Sequence, residues 1–492
     1  MKVLSLIQNS ITTNSLKGLR TAKEGITETM LKMATGKRSD SRTLNSAELT
    51  KLEKIGAQIA GIDQSIRNVA DAHAHLEVAE TALLEISDML TRISEIAIQA
   101  SNSSLTASDR TTLENEAGQL KSEIDALAFD TSFNQRRLLS GSFTGFRIQN
   151  GENAGNAFDV SISAMDVKSL GAYVNLGPTR AALAAAQTVP DNTTTDSEDI
   201  TISTMGASYT IDVSANDSAK EVASKINGIT GTTGLTAEAK THALLFSTSG
   251  SAENYTISLN GTSTSSFSIS TSSVSDAITK INAITPTTGV TATTYSSNKV
   301  LLTDTTGEDI TIENTASGTN LDFQAIQFDG LTTQGSEVSL AAGGSTNNDA
   351  SRVIGTVRLS SGSSFSITQA GNSSLAYSST NTPTIATLSS ISFSSSENAS
   401  DSVAIIKGSL ERVFQEIGNI GAAMTRLTVS DNFLANFRDR LDLAVSSIED
   451  IDFAAESAKL AKSLVLQRAG TALLAQANAG ADLVLRLIGE AA

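Results

Sequence analysis

Catalysis and metal binding usually rest on histidine, cysteine or paired carboxylates, and few of these are placed to act in this chain. Its 492 residues contain no Cys and only three His. Zero cysteine excludes a disulfide framework, a thiolate zinc site and a cysteine nucleophile. His73 and His75 are two apart in a helical pattern, so they point to different faces, whereas a metal pair on a helix needs a spacing of three or four. His73 is expected to face a neighbouring helix, and His242 stands alone. The acidic run Glu449-Asp450-Ile451-Asp452 could draw a cation. At a helix start it is better explained by carboxylates near the positive end of the helix dipole. There is no phosphate loop, nucleotide-binding glycine fingerprint or Gly-x-Ser-x-Gly elbow. No catalytic, metal or cofactor residue is predicted, and nothing in the residues calls for an enzyme.

Composition narrows the partners. With 35 basic and 52 acidic side chains the net charge is −17. Phosphate neutralisation needs clustered Lys and Arg, so a nucleic-acid partner is not expected. No stretch approaches the roughly 18–20 apolar residues of a membrane span, so no membrane insertion is expected. The apolar patch in Met1–Ser10 is too short for a secretory signal, and export would need another route. Aromatics are 4% of the chain, so its core must be aliphatic.

The elements follow from proline, charge and periodicity. All four prolines, Pro178, Pro190, Pro286 and Pro383, lie in the middle. Proline inside a helix costs about 3 kcal/mol, so both ends are free to form long helices. Residues 181–400 hold only seven Lys or Arg and are crowded with Ser, Thr, Gly and Asn. At the N-terminal end Leu19, Ile26 and Met33 step by seven before a helix stop at Gly36. Ile55, Ile62, Val69, Leu76, Leu83, Leu90 and Ala97 then repeat the same step, with Ile59, Ile66, Ile86 and Ile93 as a second row. A helix over about 45–100 would be roughly 80 Å long at 1.5 Å per residue, and its heptads require a partner helix. A third helix is indicated by Leu113, Leu120, Ile124 and Leu127, with Thr111 and Glu114 as its capping box.

The C-terminal end repeats the device. Ile406, Val413, Ile420, Leu427, Leu434, Leu441 and Ile448 step by seven, and Leu460, Leu464, Ala469, Leu473 and Ala477 continue a stripe. Each stripe left wet forfeits about 25 cal/mol per Å² of apolar surface. Two stripes at opposite ends of one chain most simply bury each other, so the termini should lie together. Small residues around Ala469-Gly470-Thr471-Ala472 suit either a close-packed hairpin or contact with other copies of the chain.

The middle carries a repeat. Glu198-Asp199-Ile200-Thr201-Ile202, Glu253-Asn254-Tyr255-Thr256-Ile257 and Glu308-Asp309-Ile310-Thr311-Ile312 recur at one fixed offset, as do Lys225-Ile226-Asn227 and Lys280-Ile281-Asn282. Each unit reads as strands, a short helix and more strands, predicting tandem small α+β domains. Residues 331–400 are Ser-rich, and β structure or loop is expected there. The fold class is multidomain α plus β. The N- and C-terminal helices pair as a coiled-coil core, and the central outer domains are β-rich α+β.

The ends then resemble a known family. Ile448-Glu449-Asp450-Ile451-Asp452-Phe453-Ala454-Ala455-Glu456, Leu466-Gln467-Arg468-Ala469-Gly470-Thr471 and Leu474-Ala475-Gln476-Ala477-Asn478 are similar to the C-terminal signature of bacterial flagellins. Ala34-Thr35-Gly36-Lys37-Arg38, Glu95–Ala100, Phe133-Asn134, Leu138–Gly141 and Ile148-Gln149-Asn150-Gly151 resemble its N-terminal half. The match covers about 1–165 and 400–490. It implies an extracellular filament subunit, exported without a cleaved signal peptide, with no cofactor. Implied partners are other copies of itself, an export chaperone, the filament cap and hook-junction proteins, and an innate immune flagellin receptor.

The resemblance also implies boundaries and sites. The inner core would be 1–44 with 453–492, the outer core 45–177 with 401–452, and the inserted surface domains 178–400. Inner-core assembly would use Leu16, Leu19, Ile26, Met33, Leu460, Leu464, Leu466, Leu473, Leu474, Gln476 and Asn478. The outer core would use the two heptad series from Ile55 and Ile406. Arg92 and Glu116 match the charged positions of the receptor-contact motif, and Ile96 stands where Leu is common; packing within the outer core is the alternative role for these residues. Ser39–Leu49 departs from the family's spoke segment, and Gln135 replaces a usual Gly. A hook–filament junction protein is the alternative within the same architecture, and a surface enzyme or adhesin carried on residues 190–400 is a third class.

Overall fold

The computed structural model describes residues 2–489 except 39–45, 154, 197, 205, 250, 271, 318, 345 and 370–382; for 2–11, 46 and 481–489 it describes the backbone alone. The segment Ser39–Asn45 of the expected spoke loop lies outside the described residues. Helices are α1 (Lys2–Thr35), α2 (Ser46–Ala100), α3 (Ala107–Asp130), α4 (Ala219–Asn227), α5 (Thr230–Thr233), α6 (Ser275–Asn282), α7 (Thr285–Thr288), α8 (Ser396–Glu449) and α9 (Phe453–Gly489). The chain forms two compact units. One comprises Met1–Ala74, Gly145–Val160 and Ala422–Ala492; the other comprises His75–Thr144 and Ser161–Gly421.

In the first unit the two ends of the chain meet, as the stripes require. Gly36, at φ +70°, stops α1 where its N–H donates to Lys32 O at 2.8 Å. The chain beyond it bridges to the α8–α9 corner: Ile451 N donates to Gly36 O at 3.2 Å and Lys37 pairs with Glu449. From that corner α1 and α9 run antiparallel. The α2 and α8 segments of this unit are also antiparallel, tied by Arg438 to Asp63 at 2.7 Å and by His73 Nε2 to Thr428 Oγ1 at 3.2 Å. The expectation that His73 faces a neighbouring helix is met. Ile62, Val69, Leu427 and Leu434 are buried, while Ile55, Leu441 and Ile448 are half-buried towards the helix breaks. The hairpin Phe146–Gln149 and Ala157–Val160 lies on these helices, with Asn68 Nδ2 donating to Gln149 O and Arg426 stacked over Phe158.

In the second unit Leu76, Leu83, Ile86, Leu90, Ile93, Ala97, Ile406, Val413 and Ile420 are all buried. Here α3 begins earlier than Thr111. Thr106 is the N-cap and closes a capping box with Asp109, while Thr111 bonds back to Ala107 O inside the helix and Glu114 accepts from Ser392. The Ser-rich turn after α2 is short enough for the first competent Thr-x-x-Asp to win.

The central repeat is visible in three dimensions. Asn227 bonds both backbone groups of Ala237, and Asn282 bonds both of Ala292. Gly234 and Gly289, at φ +67° and +73°, end α5 and α7. Each copy has its own core, one around Ile200, Val222, Ile226 and Leu359, the other around Tyr255, Phe267, Ile281, Val300 and Phe323. The copies are nevertheless not separate tandem domains. The strand Thr236–Phe246 serves both: Thr236–Lys240 pairs with Thr356–Ser360, and Thr241–Phe246 pairs with Lys299–Asp304. An eleven-residue strand is long enough to carry one sheet across two cores. Within 331–400 the β expectation holds for Thr333–Leu340, Ala350–Val353, Thr356–Ser361, Ser366–Gln369 and Thr384–Thr387.

Candidate assembly surface

The α1–α9 pair is a two-helix coiled coil read from its burial. In α1 the residues withdrawn from solvent are Thr12, Ser15, Leu19, Ala22, Ile26, Thr29 and Met33, together with their neighbours Gly25 and Lys32. In α9 they are Glu456, Leu460, Ser463, Gln467, Gly470, Leu474 and Ala477. Both series alternate steps of three and four, the seam of a left-handed coiled coil. A side chain at Gly470 would meet Leu19, and one at Gly25 would meet Ser463. The register that sets Leu19 across from Gly470 sets Ile26 across from Ser463, Thr29 from Leu460 and Ser15 from Leu474. A large residue thus faces a small one in layer after layer, which lets the two backbones approach closely.

The price of that closeness is apolar surface left outside the seam. Leu16 is 53% exposed, Leu466 52%, Leu473 62% and Val465 64%. Met30, Leu31, Phe453 and Leu464 are exposed too. Of the predicted inner-core residues, Leu19, Ile26, Met33, Leu460 and Leu474 line the seam, whereas Leu16, Leu464, Leu466, Leu473, Gln476 and Asn478 face away from it. Of the expected α9 stripe, Leu460 and Ala477 meet α1, whereas Leu464, Ala469 and Leu473 do not. Ser463, Gln467 and Gly470 take that place, and the small Ser463 and Gly470 permit the close approach. Their three–four spacing was the available signal. Sequence reasoning also missed an apolar stripe on the outer face of α8. There Val429, Phe433 and Leu443 are 64%, 65% and 71% exposed, and Phe433 stacks on Phe437 with ring centroids 6.0 Å apart.

The groups considered for chemistry are occupied structurally. Asp452 Oδ1 accepts from Ala454 N and Ala455 N and so caps α9, Glu449 holds Lys37, and Asp450 accepts from Ser446. The Glu449 carboxylate raises the Lys37 ammonium above the usual lysine range. His75 packs on Phe133 with centroids 4.4 Å apart, and the buried His242 lies between Thr303 Oγ1 at 3.0 Å and Glu397 Oε1 at 3.1 Å. Among the described residues no group of three or more His, Asp or Glu could hold a metal ion, and no helix is long and apolar enough to cross a membrane. Arg92 pairs with Glu116 and Glu95 at 2.9 Å each, and these carboxylates raise its pKa above the ordinary arginine value. Ile96 is 1% exposed, so this surface presents Arg92 and Glu116 without it.

Comparison with known proteins bears on what such a surface is for. Residues 7–144 match the bacterial flagellin N-terminal helical region, and residues 403–488 match the bacterial flagellin C-terminal helical region. Across 491 residues the chain is 27% identical to a B-type flagellin of Pseudomonas aeruginosa, covering 99% of each. This chain is a bacterial flagellin. A flagellin B of Vibrio anguillarum is 24% identical over 478 residues, 96% of each chain. The matched end regions hold most of α1, all of α2 and α3, and most of α8 and α9. Residues 199–250 match the flagellin hook IN motif, which is the first copy of the internal repeat. Solved structures of FliC from Burkholderia pseudomallei and of flagellar hook associated protein-3 from Legionella pneumophila superpose with TM-scores of 0.30 and 0.32. They share 16% and 14% identity, with 72% and 80% of this chain and 99% and 98% of theirs covered. Superpositions that loose add nothing to the assignment.

Proposed function

We infer that this flagellin is the structural subunit that polymerises into the helical flagellar filament for swimming. The observation that carries this is the uncovered apolar surface of the α1–α9 pair. A fully buried Leu or Val is worth roughly 1.5–3 kcal/mol over an exposed one. Leu16, Leu464, Val465, Leu466 and Leu473 collect little of this in a single chain. Copies packed side by side would bury them and leave the seam residues undisturbed. Removal of Leu460–Ala492 should abolish filaments, seen by electron microscopy under polymerising conditions, while the central sheet stays folded. Normal filaments from that truncation would overturn the reading. A few copies per filament, rather than a continuous homopolymer, would mark a junction protein instead.

Finer assignments rest on this reading. The inner core would comprise 1–44 with 453–492, the outer core 45–177 with 401–452, and the inserted domains 178–400. The heptad residues of α2 and α8 would hold each subunit rigid. The subunit would travel unfolded, without a cleaved signal peptide, and would add beneath the filament cap, with an export chaperone and hook-junction proteins as further partners. An innate immune receptor would meet Arg92 and Glu116. Exchange of both for Ala should abolish such signalling, and unchanged signalling would remove the contact.

A further inference from the structure

Three Asn-Gly pairs occur in the described chain: Asn150-Gly151, Asn227-Gly228 and Asn260-Gly261. Such pairs are chemically labile because a glycine nitrogen, unhindered by a Cβ, can reach the preceding side-chain amide carbon. The nitrogen of the glycine loses its proton and bonds to Cγ of the asparagine. The Cγ–Nδ2 bond breaks and ammonia leaves, giving a cyclic imide. Water then opens either imide C–N bond, yielding aspartate or isoaspartate. The reaction needs a mobile asparagine side chain and a glycine N–H free to lose its proton.

The fold treats the three pairs differently. Asn227 is pinned through both side-chain atoms to Ala237, each bond 2.8 Å, and Gly228 N donates to Ser224 O at the end of α4. Asn260 accepts from Thr311 N at 2.8 Å and Thr311 Oγ1 at 3.2 Å, and donates to Thr288 O at 3.2 Å. Among the described residues Asn150 has one side-chain bond, from Nδ2 to Ser430 Oγ at 3.1 Å, and it is only half-buried. Among the described residues no acceptor takes the Gly151 N–H.

We propose that Asn150 is a site of spontaneous deamidation in the folded protein and that the fold protects Asn227 and Asn260. Gly151 is itself covered by the Asn156 side chain, so conversion is slower than in an unfolded chain. The product matters locally. A carboxylate cannot donate to Ser430, so any bond there must reverse with the hydroxyl donating, and isoaspartate adds a methylene to the main chain of the turn joining Phe146–Gln149 to Ala157–Val160. Asn150 N donates to Asn156 O at 2.9 Å across that turn. Conversion therefore loosens the hairpin from α8 as the protein ages.

The test is incubation of the full chain at mildly alkaline pH, native and in guanidinium, with peptide mapping of aspartate and isoaspartate at each pair. In the native protein Asn150 should convert at least about tenfold faster than the other two, since it makes one side-chain bond where Asn227 makes two and Asn260 three. In denaturant the three rates should converge. Native rates that are equal, or an Asn150 that stays intact while Asn227 or Asn260 converts, would overturn the proposal, as would no native conversion at Asn150 while the denatured chain reacts. Ser430→Ala should accelerate Asn150 alone, and an unchanged or lower rate contradicts the role given to that bond. Amide exchange over the hairpin should rise with the converted fraction, and exchange that stays constant removes the structural consequence.

Discussion

The chain contains two antiparallel helix pairs built on the same heptad step, α1 with α9 and α2 with α8, and they use it in opposite ways. Between α2 and α8 the large seam residues Ile62, Val69, Leu427 and Leu434 are almost fully withdrawn from water, with the small Ser65 and Ala72 buried between them. Between α1 and α9 the seam alternates large with small, Leu19 against Gly470 and Ile26 near Ser463, and the bulkier Leu466 and Leu473 point away. The first pair buries its large seam residues fully, with Val429, Phe433 and Leu443 left exposed on the other face of α8. The second aligns its backbones closely but leaves its hydrophobic effect to be realised by something else, which is what an assembling subunit requires.

That contrast can be broken experimentally. The largest effect is expected from Val465→Asp with Leu473→Asp. Filament formation should disappear while the thermal midpoint of the monomer stays put, because exposed substitutions usually change stability by less than about 0.5 kcal/mol. A large loss of monomer stability would show that these side chains are covered within one chain. Next, Leu83→Ala in the buried α2 row should cost about 3 kcal/mol, within the usual range for a buried Leu, measured by denaturant unfolding of the monomer. Gly470→Leu would fill the small position that faces Leu19 in the α1–α9 seam. Its added bulk against Leu19 should cost roughly 1–3 kcal/mol from overpacking, partly offset by about 1 kcal/mol from better helix propensity. Amide exchange along α1 and α9 would report it.

The smallest effect concerns pH. Thr106 holds the exposed Asp109 carboxylate below its ordinary pKa. Its folded value therefore lies under the unfolded one. The contribution is present above the unfolded value and fades as pH falls through the folded one. Fraying of the first turn of α3 on acidification, followed by NMR, should be absent in Asp109→Asn.

Much of this was legible before any coordinates. Heptads stepping from Ile55 and Ile406 demanded long partnered helices, and the prolines and low charge marked the middle as something else. Paired Asn227 and Asn282 revealed a duplication whose clamps are the same in both copies. Three readings failed for identifiable reasons. The α9 seam was hidden because its frame is carried by Ser463, Gln467 and Gly470, while Leu464 and Leu473 advertise the opposite face. The capping box of α3 was misplaced because Thr111-x-x-Glu114 and Thr106-x-x-Asp109 are equally good locally. The shared strand Thr236–Phe246 was missed because a local repeat carries no record of which strand its neighbours will pair with.

Periodicity, punctuation and repetition belong to single segments, and for those the amino-acid order was sufficient: it settled where helices run, where they stop, and that both ends need partners. Which side of α9 turns inward and how two repeats merge into one sheet were decided only in the folded chain. Those outcomes depend on how closely distant backbones can approach, a quantity set jointly by residues hundreds of positions apart.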